Sequence, residues 1–187
     1  GQDSALLLAR PGSDATQWNV VSQVATPTAQ NIAVNHQGKL ALLSQGNVGL
    51  SIVNVAQETH PIIVGQQETG AAVNGAVFSL NDRYVYIVDD QGLKLFKVDD
   101  QDPQQVRLVL LQTISMPSGA LSVSMDASGT QLFVATGDQG VQIFDIATQF
   151  PYARYASTVS STHRTLKALP QGNCTIYVAD GSGGFRA

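Results

Sequence analysis

The sequence predicts an all-β chain folded as a β-propeller of four-stranded antiparallel blades, and three observations carry that prediction. A glycine-led strand recurs as Gly49-Leu50-Ser51-Ile52-Val53-Asn54-Val55, Gly92-Leu93-Lys94-Leu95-Phe96-Lys97-Val98 and Gly140-Val141-Gln142-Ile143-Phe144-Asp145-Ile146, and opens again at Gly184-Phe185-Arg186-Ala187. These glycines stand 43, 48 and 44 residues apart, close to the period of about 40–50 residues of a four-stranded blade. No stretch shows convincing helical periodicity.

Each repeat resolves into the same elements. An apolar run precedes every glycine: 39–43, 84–88, 131–135 and 175–179. Between run and glycine lies a turn rich in Gly, Asp, Asn or Ser, so strand, turn and strand form a hairpin. An earlier strand is predicted at 32–34, 76–80, 121–125 and 165–169, each running into a polar turn. A more variable fourth strand follows, as at 62–65 and 106–111. Four strands per period, innermost first, make a blade. Sandwiches and barrels require no such repeat. The strand aromatics Tyr84, Tyr86, Phe96, Phe133, Phe144 and Tyr177 are expected to pack between blades.

Tyr177-Val178-Ala179-Asp180-Gly181-Ser182-Gly183-Gly184-Phe185, together with the second half of the pattern at 140–146, resembles the LVIVD-repeat propellers. The resemblance spans roughly residues 30 to 187, and it departs from the pattern at Lys97, where the motif has Asp. It implies a propeller of this broad kind and no particular activity. It also implies an extracytoplasmic setting: secreted, periplasmic or on the cell surface.

Residues 1–187 read as propeller repeats throughout, one domain or a segment of one. Residues 5–10 read as a third strand and 18–24 as a fourth, whereas the C-terminal end supplies a first strand, a second and the opening of a third. Beginning and end are thus complementary halves of one blade. Either they close a four-bladed ring, or the repeats belong to a larger ring of seven or eight blades completed by further sequence or another chain. Exposed strand edges are something proteins normally protect, and four blades is the low end of the range; the larger ring is the expectation.

Composition narrows the function classes. Ten basic against fourteen acidic residues leave a net charge of −4, without the basic footprint of a nucleic-acid binder. The apolar runs are too short to cross a bilayer. Residues 1–4 lack the blocks of a signal peptide. The single cysteine, Cys174, excludes an intrachain disulfide and reads as a buried inert thiol in a strand; Asn173-Cys174-Thr175 fits the glycosylation pattern only formally.

No catalytic set stands out. His36, His60 and His163 fall at different phases of the repeat, lack metal-ligand spacing and read as turn or surface residues. Asp180-Gly181-Ser182-Gly183-Gly184 resembles a protease motif in composition, but its order is wrong and a repeat turn accounts for it. The best candidate site is the set of aspartates in the second-to-third-strand turns, Asp89, Asp90, Asp138 and Asp180, with Asn47 as their counterpart. A propeller directs these turns toward one face around its axis. Oxygen ligands there would suit a hard cation such as calcium, or a cationic group of a protein or small ligand. The competing reading is that Asp and Asn simply form turns, accepting from nearby backbone amides.

Two function classes follow. The first is a non-enzymatic binding propeller in an extracytoplasmic space. The second is a segment of a propeller enzyme, a hydrolase or oxidoreductase, with a metal or cofactor on the axial face. Function resides in sites rather than folds, so the side chains must decide.

Overall fold

A computed structural model describes residues 5–14, 16–26, 28–116, 118–172 and 175–186. Residues 1–4 and the Asn173–Cys174 pair lie outside the described residues. The strands are β1 (Ala5–Pro11), β2 (Trp18–Ala25), β3 (Asn31–Val34), β4 (Leu40–Ser44), β5 (Leu50–Asn54), β6 (Ile62–Gln67), β7 (Val73–Phe78), β8 (Tyr84–Asp89) and β9 (Gly92–Asp99). They continue as β10 (Arg107–Ser115), β11 (Ser122–Met125), β12 (Gln131–Ala135), β13 (Val141–Asp145), β14 (Arg154–Val159), β15 (Lys167–Gln171), β16 (Thr175–Ala179) and β17 (Phe185–Arg186).

Three antiparallel sheets have four strands each, in the orders β3-β4-β5-β6, β7-β8-β9-β10 and β11-β12-β13-β14. They are flanked by a two-stranded sheet, β1-β2, and a three-stranded one, β15-β16-β17, which are not hydrogen-bonded to each other. The first strands β3, β7, β11 and β15 lie side by side from sheet to sheet, as the inner strands of successive blades must. This is the predicted all-β propeller architecture. The strand bounds shift slightly: β7 opens at Val73 rather than 76, and β15 at Lys167, extending through Pro170 and Gln171 where a turn was expected.

The repeating glycine has a steric cause. At Gly49, Gly92 and Gly140 φ is +96°, +140° and +85°, and a Cβ would stand 2.2, 2.1 and 2.2 Å from the carbonyl oxygens of Gln67, Ile114 and Val159. The fourth strand or its end passes through the space that any side chain would fill. Farther along, the third- and fourth-strand pairs β5–β6, β9–β10, β13–β14 and β1–β2 all carry a register shift. Such bulges increase strand twist.

Blades adhere through both faces of their central strands. In β8, Val85 and Ile87 join a buried cluster with Leu42, Leu50 and Ile52 of the preceding blade. Alternating with them, Tyr86 and Val88 join Leu132, Val134 and Phe144 of the following one. With both faces buried, these strands lose polar alternation and become continuous apolar runs. Each such side chain contributes on the order of 1.5–3 kcal/mol. The hydroxyl of Tyr86 donates to the Pro151 carbonyl at 2.7 Å, and burial pushes its pKa well above the ordinary tyrosine value. Among the aromatics expected between blades, Tyr86, Phe96, Phe133 and Phe144 are buried, and Tyr84 and Tyr177 half-buried.

At the end of the blades where first strands turn into second strands, one polar side chain organises the turn in each of the three four-stranded sheets. Asn35 Oδ1 accepts from the Lys39 and Leu40 amides at 2.8 and 3.0 Å; Ser79 Oγ accepts from Tyr84 N at 3.1 Å; Asp126 Oδ1 accepts from Thr130 N and Gln131 N at 2.8 and 2.7 Å. Each turn also needs a left-handed residue. Gly38 and Gly129 supply it at φ +67° and +68°, but the middle blade uses Asp82 at φ +59°. Asp82 reaches into the preceding blade, where Oδ1 accepts from His36 N at 2.8 Å and Oδ2 from Gln37 N at 3.0 Å. His36 Nδ1 stands 2.9 Å from the same carboxylate. These bonds offset the strain of a non-glycine residue in the left-handed region.

Two outcomes follow. Gly92→Ala, meeting both strain and a carbonyl oxygen, is expected to cost about 2–4 kcal/mol in chemical denaturation. Gly38→Ala, with open space around it, is expected to cost about 1 kcal/mol. Acid stability probes Asp126. Burial raises its pKa, but the hydrogen bonds from Ser128, Gln131 and Thr130 outweigh burial and hold it below the ordinary 3.8. A carboxyl lowered by folding stabilises the fold above its unfolded value and loses that contribution as pH falls through the folded value. Unfolding followed below pH 3.8 should therefore show a steeper loss for the parent protein than for Asp126→Asn.

Candidate functional site

The opposite end of the blades gathers the turns between second and third strands together with the connections from blade to blade. Gly46 forms a bridge with Val73, and Gly137 with Thr165. Between blades, Ala120 N donates to Asp89 O at 3.0 Å. Backbone pairing thus ties the turns of the three four-stranded sheets to neighbouring connections.

Equivalent positions at the end of each second strand hold a buried polar residue: Gln45, Asp89, Thr136 and Asp180, exposed by 2, 0, 1 and 0 %. In three blades its amide closes the turn by donating to the repeat glycine's carbonyl, Gln45 to Gly49, Thr136 to Gly140 and Asp180 to Gly184, at 2.8–2.9 Å. The turn at 89–92 is shorter, and the side chain closes it instead. Asp89 Oδ1 accepts from Gln91 N at 2.9 Å and Gly92 N at 3.0 Å. Its other oxygen pairs with Lys94, whose ammonium also donates to Thr69 O at 2.6 Å. A buried carboxylate so fully hydrogen-bonded serves the turn.

The four candidate aspartates therefore share one end of the blades but not one environment. Asp89 and Asp180 are buried, whereas Asp90 and Asp138 are exposed at turn tips, as is Asn47. Asp90 accepts from the Asn74 side-chain amide at 2.9 Å. Among the described residues, no group of three or more His, Cys, Asp or Glu is placed to hold a metal ion.

Asp180 differs from Asp89 in its partners. Ser161 Oγ donates to its Oδ1, Thr165 Oγ1 approaches the same oxygen at 3.4 Å, and His163 Nδ1 stands 3.7 Å from Oδ2. The imidazole is 38 % exposed while the carboxylate is fully buried. Ser161 also accepts from the His163 amide at 3.1 Å, and Thr162 Oγ1 lies 3.0 Å from Nδ1. Asp180 lines a cavity of about 250 Å³ together with Ser161, Thr165, Val141, Val159 and Val178. A Cβ at Gly183 would come within 2.6 Å of His163 Nδ1 and 2.9 Å of Asp180 Oδ2, so glycine there keeps the pair clear. Arg164 passes beside Gly137.

Asp180 was legible in the sequence as a turn carboxylate; its histidine was not. His163 belongs to the connection leading into the last sheet, and repeat phase alone sets it apart from turn residues. The usable signal is that a connection folds back on the turn of the blade it enters, as Thr69 does on Asp89 and Lys94.

This architecture is that of a β-propeller. No family model matches the chain, and no curated protein matches it. Among solved structures, it is similar to a periplasmic gluconolactonase of Pseudomonas aeruginosa, PpgL, with TM-score 0.74 and 14% identity over 95% of this chain and 53% of that one. A Lactobacillus plantarum protein matches with TM-score 0.72 and 13% identity, over 86% and 50% of the two chains. A Bacteroides uniformis protein assigned as a 6-phosphogluconolactonase matches with TM-score 0.74 and 12% identity, over 96% and 58%. The chain spans about half the length of these structures.

Proposed function

We propose that this chain is part of a propeller hydrolase that opens a cyclic ester, the second of the two function classes above, rather than a purely binding propeller. The carrying observation is the buried Asp180 carboxylate, which lines a cavity and stands 3.7 Å from the half-exposed His163 imidazole. Likeness to propellers described as lactonases supports the same reading at the level of the fold.

In this reading the buried Asp180 carboxylate, 3.7 Å from Nδ1 and so beyond hydrogen-bond distance, favours the Nδ1–H tautomer of His163 electrostatically, which leaves the basic lone pair on Nε2. The Nε2 atom takes a proton from water as the water oxygen bonds to the lactone carbonyl carbon, and Asp180 stabilises the imidazolium. The tetrahedral intermediate then breaks its ring carbon–oxygen bond. The imidazolium returns its proton to that oxygen, so lactone and water yield one hydroxy acid.

The sheets β1-β2 and β15-β16-β17 are read as parts of different blades in a ring of more than four. Their separate hydrogen bonding and the half-length match to the neighbours support this. The LVIVD-like motif is read as a repeat signature rather than a mark of activity. An extracytoplasmic location accords with that resemblance and with the periplasmic neighbour.

The test is acid release from glucono-δ-lactone, measured against its spontaneous hydrolysis. The parent protein should exceed the spontaneous rate, and His163→Gln and Asp180→Asn should each lower kcat by about 10²–10⁴ with little change in KM. A parent rate equal to the spontaneous one, or full activity in His163→Gln, would overturn the proposal.

A further inference from the structure

At the other end of the blades, a crevice of about 520 Å³ opens between the β3–β6 and β7–β10 sheets, within the size range of small-molecule sites. Its floor includes Leu40, Val98 and Val106, all buried. Lys39 and Arg83 line it from successive blades, each directly following the left-handed residue of its turn, Gly38 or Asp82. Both are exposed, and neither is ion-paired among the described residues. The lining also includes Asn54, Asn81, Asp82 and Asp100. The Asp82 carboxylate is already occupied by the amides of His36 and Gln37, whereas Asp100 is an exposed acceptor.

A second crevice shows that the architecture alone does not dictate this chemistry. Between the β11–β14 and β15–β17 sheets lies a space of about 540 Å³ in which the matching turn position is Thr130, and no lysine or arginine lines it. The cations at 39 and 83 are thus a choice of side chain on a repeated backbone.

From these groups we infer a binding site for a small sugar acid, distinct from the His163–Asp180 site and independent of the hydrolase reading. Lys39 and Arg83 take the carboxylate, Arg83 with a planar fork matched to it. The amides of Asn54 and Asn81 and the carboxylate of Asp100 take hydroxyls, and the carbon skeleton rests on the apolar floor. A neutral sugar lacks the partner for the two cations. A bare anion lacks the partners for the amides and Asp100.

Calorimetric titration of the protein with D-glucuronate, D-glucose and inorganic phosphate tests this. Glucuronate should bind at least about tenfold more tightly than either of the others, and more weakly as salt is added. Arg83→Gln and Lys39→Gln should each reduce glucuronate affinity about tenfold while circular dichroism stays unchanged. Lactone hydrolysis, where present, should not move. Equal affinity for glucose or phosphate, unaltered affinity in both variants, or no binding of glucuronate at about 10 mM would overturn the inference.

Discussion

The blade depends on one close approach. A carbonyl oxygen at the end of the fourth strand occupies the place of the missing side chain on the glycine that opens the third strand, at Gly49, Gly92 and Gly140 alike. That contact brings the outer strand in at a fixed height, and the bulge that follows increases its twist. The twisted sheet then presents both faces of its central strands to neighbours, and the apolar runs of β4, β8 and β12 are buried between blades. Sequence period, strand pairing and core are consequences of the same steric requirement.

The two ends of the blades are built differently. At one, short turns carry their own acceptors, Asn35, Ser79 and Asp126, and need little from neighbours apart from the Asp82 clamp. At the other, turns and connections interlock across blades, and a buried polar residue stands at each interlock. Three of these positions are satisfied by structure: Gln45 accepts from Ser51 Oγ at 2.7 Å, Asp89 pairs with Lys94, and Thr136 bonds the Gly140 carbonyl at 3.0 Å. The fourth, Asp180, also accepts from Ser161 Oγ, but it lines a cavity and stands 3.7 Å from a partly exposed histidine. In the hydrolase reading proposed above, a position that serves architecture in three blades serves chemistry in the last.

The fold was legible because glycines and apolar runs repeat in one dimension as the blades repeat in space. The candidate site was legible only in part. Asp89 and Asp90 are adjacent in sequence, yet one is sealed under a turn and the other exposed, because the turn at 89–92 is shorter and the aspartate itself must close it. The reading of Asp as a turn former describes Asp89 well. Asp82 reads in the sequence as a turn residue; it stands where other blades have glycine, and only its reach into the preceding blade explains why it is tolerated. His163 pairs with Asp180 through tertiary folding of a connection, which no local spacing encodes.

The central functional proposal is that the buried Asp180 carboxylate, 3.7 Å from Nδ1, favours the Nδ1–H tautomer of His163 electrostatically and leaves Nε2 as a base. Nitrogen-15 NMR of the imidazole above its titration range reads that directly. The account predicts an Nδ1–H tautomer in the parent protein and a shift toward the Nε2–H form in Asp180→Asn, with the fold intact. An Nε2–H tautomer in the parent, or a tautomer indifferent to residue 180, would contradict it.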